Sequence, residues 1–152
     1  MKLHHFAAGE GSATTLEAGP GVRLADLLVL EEAEKAFLVG EEAELDVTVT
    51  VEAALAGRHG HVATSSCRQF AVTVGYAGAD KVVRVHPAAR LREVRKLAIA
   101  EFGIGQAASA DLVLRVPDGS EDLDLNAPVT TIVPRHACST TVDLVHTVRP
   151  QG

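Results

Sequence analysis

Tryptophan is absent from this chain of 152 residues, and aromatic side chains make up only 3% of it. So few rings leave no platform for stacking a run of nucleobases. Surplus positive charge is missing as well: 14 Lys and Arg face 20 Asp and Glu, a formal charge of -6. A phosphate backbone is held by clustered cations, so nucleic acid is not an expected partner. No apolar run approaches the roughly 20 residues of a membrane helix, and M-K-L-H-H-F-A-A-G-E at the N-terminus lacks a hydrophobic signal core. No membrane association is expected, and the expected location is the cytoplasm. The only cysteines are Cys67 and Cys138. They suit a reducing compartment and cannot build a disulfide framework. Lysine is scarce: Lys2, Lys35, Lys81 and Lys96 are all there are, against ten arginines.

What remains is the composition of a globular protein, 47% hydrophobic and rich in Val, Leu and Ala. Met1–Ala7 and Ala13–Ala18 read as strands around the turn-forming G-E-G-S, which makes a hairpin. Pro20 and Gly21 introduce a short helix whose Val22, Leu24, Leu27, Leu28 and Ala33 share one face. Ala36–Val39 is a brief apolar run closed by Gly40, and Glu41–Glu44 is an acidic surface segment. Leu45, Val47, Val49 and Val51 alternate with polar residues, a pattern compatible with a strand or an irregular turn. His61–Cys67 reads as another strand.

Beyond Gln69 the signals are sharper. Phe70, Val72 and Val74 alternate along a strand; Gly75 to Asp80 form a turn, and Lys81–Val85 a second strand. Pro87 opens a helix in which Leu91, Val94, Leu97, Ala98 and Phe102 fall on one face, and Gly103 stops it. Leu112–Val116, a turn at P-D-G-S, a short D-L-D-L strand at 122–125 and a connection through Pro128 and Pro134 come next. The last strand runs from Val142, with Val142, Leu144, His146 and Val148 on one face and Asp143, Val145, Thr147 and Arg149 on the other, and gives way after Arg149 to P-Q-G at 150–152.

The order of these elements resembles the β-grasp, and residues 70–149 resemble ubiquitin. P-A-A-R-L-R-E-V-R-K-L-A-I-A-E-F-G-I at 87–104 is similar to ubiquitin's helix in its leading proline, apolar spacing and closing Gly-Ile. D-L-V-L-R followed by D-G-S-E-D-L is similar to the third strand and its turn, and S-T-T-V-D-L-V-H-T-V-R-P-Q-G to the last strand and tail. The first half repeats the plan in degraded form, through M-K-L-H-H-F, A-T-T-L-E-A-G-P, Leu24–Leu28, A-F-L-V-G-E-E-A-E-L and H-V-A-T-S-S-C. The whole resembles the tandem ubiquitin-like modifiers: the pair that vertebrates induce with interferon and its bacterial counterparts in antiphage operons.

This resemblance implies an α+β chain of two β-grasp domains, each a mixed sheet packed on one helix. The expected bounds are residues 1–68 and 69–149, with a tail at 150–152. It also implies a protein modifier that is not itself an enzyme and needs no cofactor. The carboxylate of Gly152 would be activated by an E1-like enzyme, passed to an E2-like enzyme and joined to a target lysine, and an isopeptidase would reverse the attachment. Gln151 stands where the family commonly has glycine, and Arg149 lies near the arginine by which an E1 selects its modifier. The family's binding surface falls on Val113 and Val145, with Tyr76 and Ala77 from the first turn. Positions matching ubiquitin's most used chain-linking lysines fall near Pro117–Asp118 and Ala137–Cys138, which favours single-copy tagging.

Two other roles share this fold. A non-conjugated tandem would dock a partner through its sheet, and a sulfur carrier would bear a terminal thiocarboxylate. Plant-type ferredoxins also share it, but two distant cysteines exclude their cluster. No metal is expected: His59, His61 and Cys67 are zinc-ligand types, but without a second pair they read as a polar turn.

Overall fold

The computed structural model describes residues 1–147. Eight strands form two four-stranded sheets. In chain order these are β1 (Lys2–Ala7), β2 (Thr14–Glu17), β3 (Lys35–Leu38) and β4 (His61–Ser65), then β5 (Phe70–Tyr76), β6 (Ala79–Val85), β7 (Leu112–Arg115) and β8 (Ser139–His146). The strand orders are β2-β1-β4-β3 and β6-β5-β8-β7. In each sheet the two central strands run parallel, β1 with β4 and β5 with β8, while both outer pairs are antiparallel. Two mixed sheets of identical order make this a tandem of β-grasp domains.

Each sheet buries one face against its own core. In the first domain Leu3, Leu38 and Val62 pack on Leu24 and Leu28 of helix α1 (Leu24–Leu28). In the second, Phe70, Val72, Val74, Leu114, Val142 and Leu144 pack on Leu91, Val94 and Ala98 of a longer helix, α3 (Leu91–Glu101). Gly103, at φ +64, ends that helix as the sequence implies. The two cores are separate clusters.

The duplication extends to the hydrogen bonds that hold the helices. A helix start leaves unpartnered N–H donors, and both domains satisfy them from a later loop. Leu24 and Ala25 donate to the Val49 and Val47 carbonyls at 3.0 and 2.8 Å, and Leu91 and Arg92 to Ala127 and Leu125 at 2.9 and 3.0 Å. Leu45 N–H donates to Ala36 O just as Leu123 N–H donates to Leu114 O, both at 2.8 Å.

These bonds explain several departures from the sequence reading. Residues 45–51 are neither a strand nor wholly irregular: their carbonyls serve α1, and Val51–Leu55 forms a helix, α2, with the Thr50 hydroxyl accepting from Ala53 N–H. Asp122 to Leu125 form no strand, because the pairing amounts to the Leu123 bond alone. The second helix starts at Leu91 rather than Pro87, since Ala88 and Ala89 N–H fold back onto His86. The first helix ends at Leu28, where Val29 turns left-handed at φ +51, and Ala33 lies beyond it, exposed. The turn after β5 spans Ala77 and Gly78 alone. A four-residue helix, α4 (Gln106–Ser109), carries no apolar periodicity that would announce it.

The cysteines require the largest correction. Cys67 and Cys138, which the sequence reading left unpaired, form a disulfide across a sequence separation of 71, with Cα atoms 5.7 Å apart. The parallel pairing of β5 and β8 is what brings them together. Cys67 precedes β5 by three residues, Cys138 immediately precedes β8, and Ala71 N–H donates to Cys138 O at 2.9 Å.

Candidate functional site

The end of β8 in the second domain is held by several contacts. Leu144 and Val142 face inward and fix the strand on the core. His146, at its end, is exposed and so lies outside the buried apolar core. Its Nδ1 lies 2.9 Å from Asp111 Oδ1 and its Nε2 lies 3.4 Å from the Tyr76 hydroxyl. Thr147 donates twice to the Asp111 carbonyl, from its N–H at 2.9 Å and its hydroxyl at 2.6 Å. The backbone is therefore fixed as far as Thr147. Arg149, Gln151 and Gly152 lie outside the described residues.

On the outer face of the second sheet, Val113 of β7 and Val145 of β8 are direct cross-strand partners, both half-buried. Alternation puts them opposite the core, since Leu112, Leu114, Val142 and Leu144 occupy the inner face. Val145 and Ala77 border one shallow depression of about 320 Å³. Gly75 lies in it, flanked by carboxylates. A Cβ there would sit 2.9 Å from Asp143 Oδ1 and 3.2 Å from Asp80 Oδ1. Tyr76 also borders the depression, but its ring packs edge-on against Phe102 with centroids 5.4 Å apart. The structure thus brings Val113, Val145 and Ala77 to one region and assigns the Tyr76 ring to holding the β8 exit.

A match to the family model for BilA ubiquitin-like domain 2 extends over residues 71–147. The chain belongs to this family. As a ubiquitin-like protein it also matches a solved structure of ubiquitin from Caldiarchaeum subterraneum, at 13% sequence identity and a TM-score of 0.41; the alignment covers 54% of this chain and 98% of that one. A search of curated proteins finds no match. The second ubiquitin-like domain is the one that bears the β8 exit and the Val113–Val145 pair.

Asp111, His146 and Thr147 were not singled out by sequence reasoning. Asp111 lies 35 residues from His146, and no local spacing connects them. The histidines weighed for zinc have a different arrangement. Cys67 is consumed by its disulfide and supplies no thiolate. His61 instead stacks on His4, with ring centroids 4.8 Å apart. Its pKa is lowered first by burial and then by His4, His59 and Arg90. Among the described residues no group of three or more His, Cys, Asp and Glu is placed to hold a metal ion.

Proposed function

We propose that this ubiquitin-like protein is a modifier, substrate rather than catalyst, with Gly152 carrying the carboxylate that is activated. In the reaction the carboxylate attacks the α-phosphate of ATP and releases pyrophosphate. An E1-like cysteine then displaces AMP to give a thioester. Transfer to an E2-like cysteine and attack by a target lysine amine complete an isopeptide bond, which an isopeptidase would hydrolyse. The observation that carries this reading is the fixed exit of β8: His146 and Thr147 hold the backbone against Asp111 on a rigid domain, so an enzyme that grips the domain would meet the terminal residues from a defined point of exit. Membership of a ubiquitin-like family supports the same reading.

Arg149 and Gln151 would then be read by the activating enzyme, and the Val113–Val145 face with Ala77 would dock a partner. A cytoplasmic, antiphage setting belongs to the same proposal. The test is incubation of the full chain with cognate E1-like and E2-like enzymes and ATP. A DTT-sensitive adduct through Gly152, lost when Gln151 and Gly152 are deleted, is the expected result. Retention of partner binding by the deleted chain, with no adduct from the intact one, would favour the non-conjugated docking module. A terminal thiocarboxylate in the intact mass would favour the sulfur carrier.

A further inference from the structure

The disulfide lies at the joint between the two domains. Ser65 ends β4, a central strand of the first sheet, and Phe70 begins β5, a central strand of the second. Of the four intervening residues Ser66, Arg68 and Gln69 are exposed, and Cys67 alone is buried, within the second core. Its bond to Cys138 fastens the linker two residues beyond the first sheet to the start of β8 in the second. The end of one domain's central strand is thereby fixed covalently to the beginning of the other's.

Apart from the peptide linker, the other contacts across the joint among the described residues are noncovalent. Gly9 N–H donates to Thr130 O at 3.3 Å and Gly40 N–H to Ala88 O at 2.7 Å. Arg135 pairs with Glu31 across exposed surface. Phe37 meets the His86 ring edge-on at 4.6 Å. Such contacts define a preferred arrangement but are individually weak.

The bond is open to attack from one side. Cys138 is exposed, and Cys67 borders a cleft of about 440 Å³ shared by both domains, lined also by His5, Arg135 and His136. That cleft also holds Glu10, Glu31, Glu32 and Glu34, and Glu31 pairs with Arg135, so its charges do not draw a thiolate in; the exposed member of the disulfide is Cys138.

We infer that Cys67 and Cys138 form a reversible clamp by which a dithiol reductant sets the freedom of one domain relative to the other. The reductant's thiolate attacks Cys138 Sγ, the bond to Cys67 Sγ breaks, and Cys67 leaves as a thiolate that takes up a proton. The second thiol of the reductant then attacks the mixed disulfide and releases Cys138 as a thiol. Two electrons and two protons pass to the protein, and the reductant leaves as its own disulfide. With the bond open, Ser66–Gln69 becomes a pivot. The groove of about 460 Å³ walled by Glu41 and Glu42 of the first domain and by Arg84 and Arg90 of the second then loses its fixed shape.

Residual dipolar couplings on the weakly aligned full chain test this without added labels, oxidised and after dithiothreitol. In the oxidised protein, couplings from both sheets are expected to fit one alignment tensor, and neither cysteine to take up N-ethylmaleimide. After reduction the mass rises by two hydrogens, both thiols alkylate, each sheet keeps its amide shifts, and the two domains require tensors of unequal magnitude. Cys138→Ser should give unequal tensors in both buffers. Alkylation of both cysteines in protein treated with oxidised dithiothreitol would overturn the inference. So would a single tensor persisting after reduction, or unfolding of the second domain on reduction.

Discussion

Phe70 and Val113 show how differently two apolar residues of one domain behave. Phe70 is completely buried at the centre of the second core, so Phe70→Ala should destabilise the domain by about 3–5 kcal/mol. Val113 faces the solvent side of its strand, and Val113→Asp should lower stability by no more than about 1 kcal/mol. Urea denaturation followed by circular dichroism distinguishes the two. Partner binding that survived Val113→Asp unchanged would remove the outer face from the functional account. The histidines make stability depend on pH. Burial lowers the pKa of His5, against the opposing pull of Glu34 and Glu10, and burial likewise lowers His61 and His86. Above the ordinary histidine value of about 6.5, these imidazoles are neutral in the folded and unfolded chain alike, and the folded state has its full stability. As pH falls through that value the unfolded chain binds protons first, so stability declines until the lower folded values are passed. The urea midpoint should therefore fall between about pH 7.5 and 5.5, and His5→Gln, which retains a partner for the Thr64 hydroxyl, should make that fall shallower. A midpoint that rose on acidification would contradict the burial of these rings.

At the scale of elements, the regular strands and the long helix were legible because their periodicity is imposed by a core. Phe70, Val72 and Val74 face inward as their spacing of two requires, and Leu91, Val94 and Ala98 as theirs of three and four requires. The apolar alternation from Leu45 to Val51 was not decisive, because it is satisfied by one-sided burial with no neighbouring strand. Only the later loop's bonds to the start of α1 decide its form. The hairpin of β5 and β6 offers a test at this scale. Ala77 and Gly78 both have positive φ, 50° and 81°, the pattern of a two-residue type I′ turn, in which asparagine is preferred at the first position. Ala77 therefore holds a left-handed conformation that its Cβ disfavours. Ala77→Asn should raise the stability of the second domain by about 0.5–1 kcal/mol, seen as a higher urea midpoint with an unchanged slope. A lower midpoint would mean that the Ala77 methyl makes a contact worth more than the strain.

The whole molecule is two domains of one plan with unequal charge. Residues 1–68 hold five Lys and Arg against eleven Asp and Glu, and the remainder nine against nine, so the formal charge of -6 resides in the part of the chain before β5. Across the joint this asymmetry places Glu31 against Arg135, and Glu41 and Glu42 beside a groove that also holds Arg84 and Arg90. The covalent link has a separate thermodynamic consequence. A disulfide spanning 71 positions encloses nearly all of the second domain, and closing so long a loop removes unfolded-state entropy equivalent to about 4 kcal/mol. Reduction should lower the melting temperature of the second domain by about 15–30 °C and leave the first domain's transition in place. Calorimetry that showed no change would indicate that the unfolded chain is already restricted.

The sequence by itself determined the number of domains, the order of most strands, the inward faces of the strands and of the long helix, and the outward position of Val113. Each derives from periodicity and turn chemistry within a few residues of chain. Tertiary structure alone decided which distant groups meet: Cys67 with Cys138, Asp111 with His146 and Thr147, and the carbonyls of Val47, Val49, Leu125 and Ala127 with the helix starts. Such pairings depend on how sheets and loops close in space. Neither local spacing nor composition encodes a contact between groups that adjacency in the chain does not bring together.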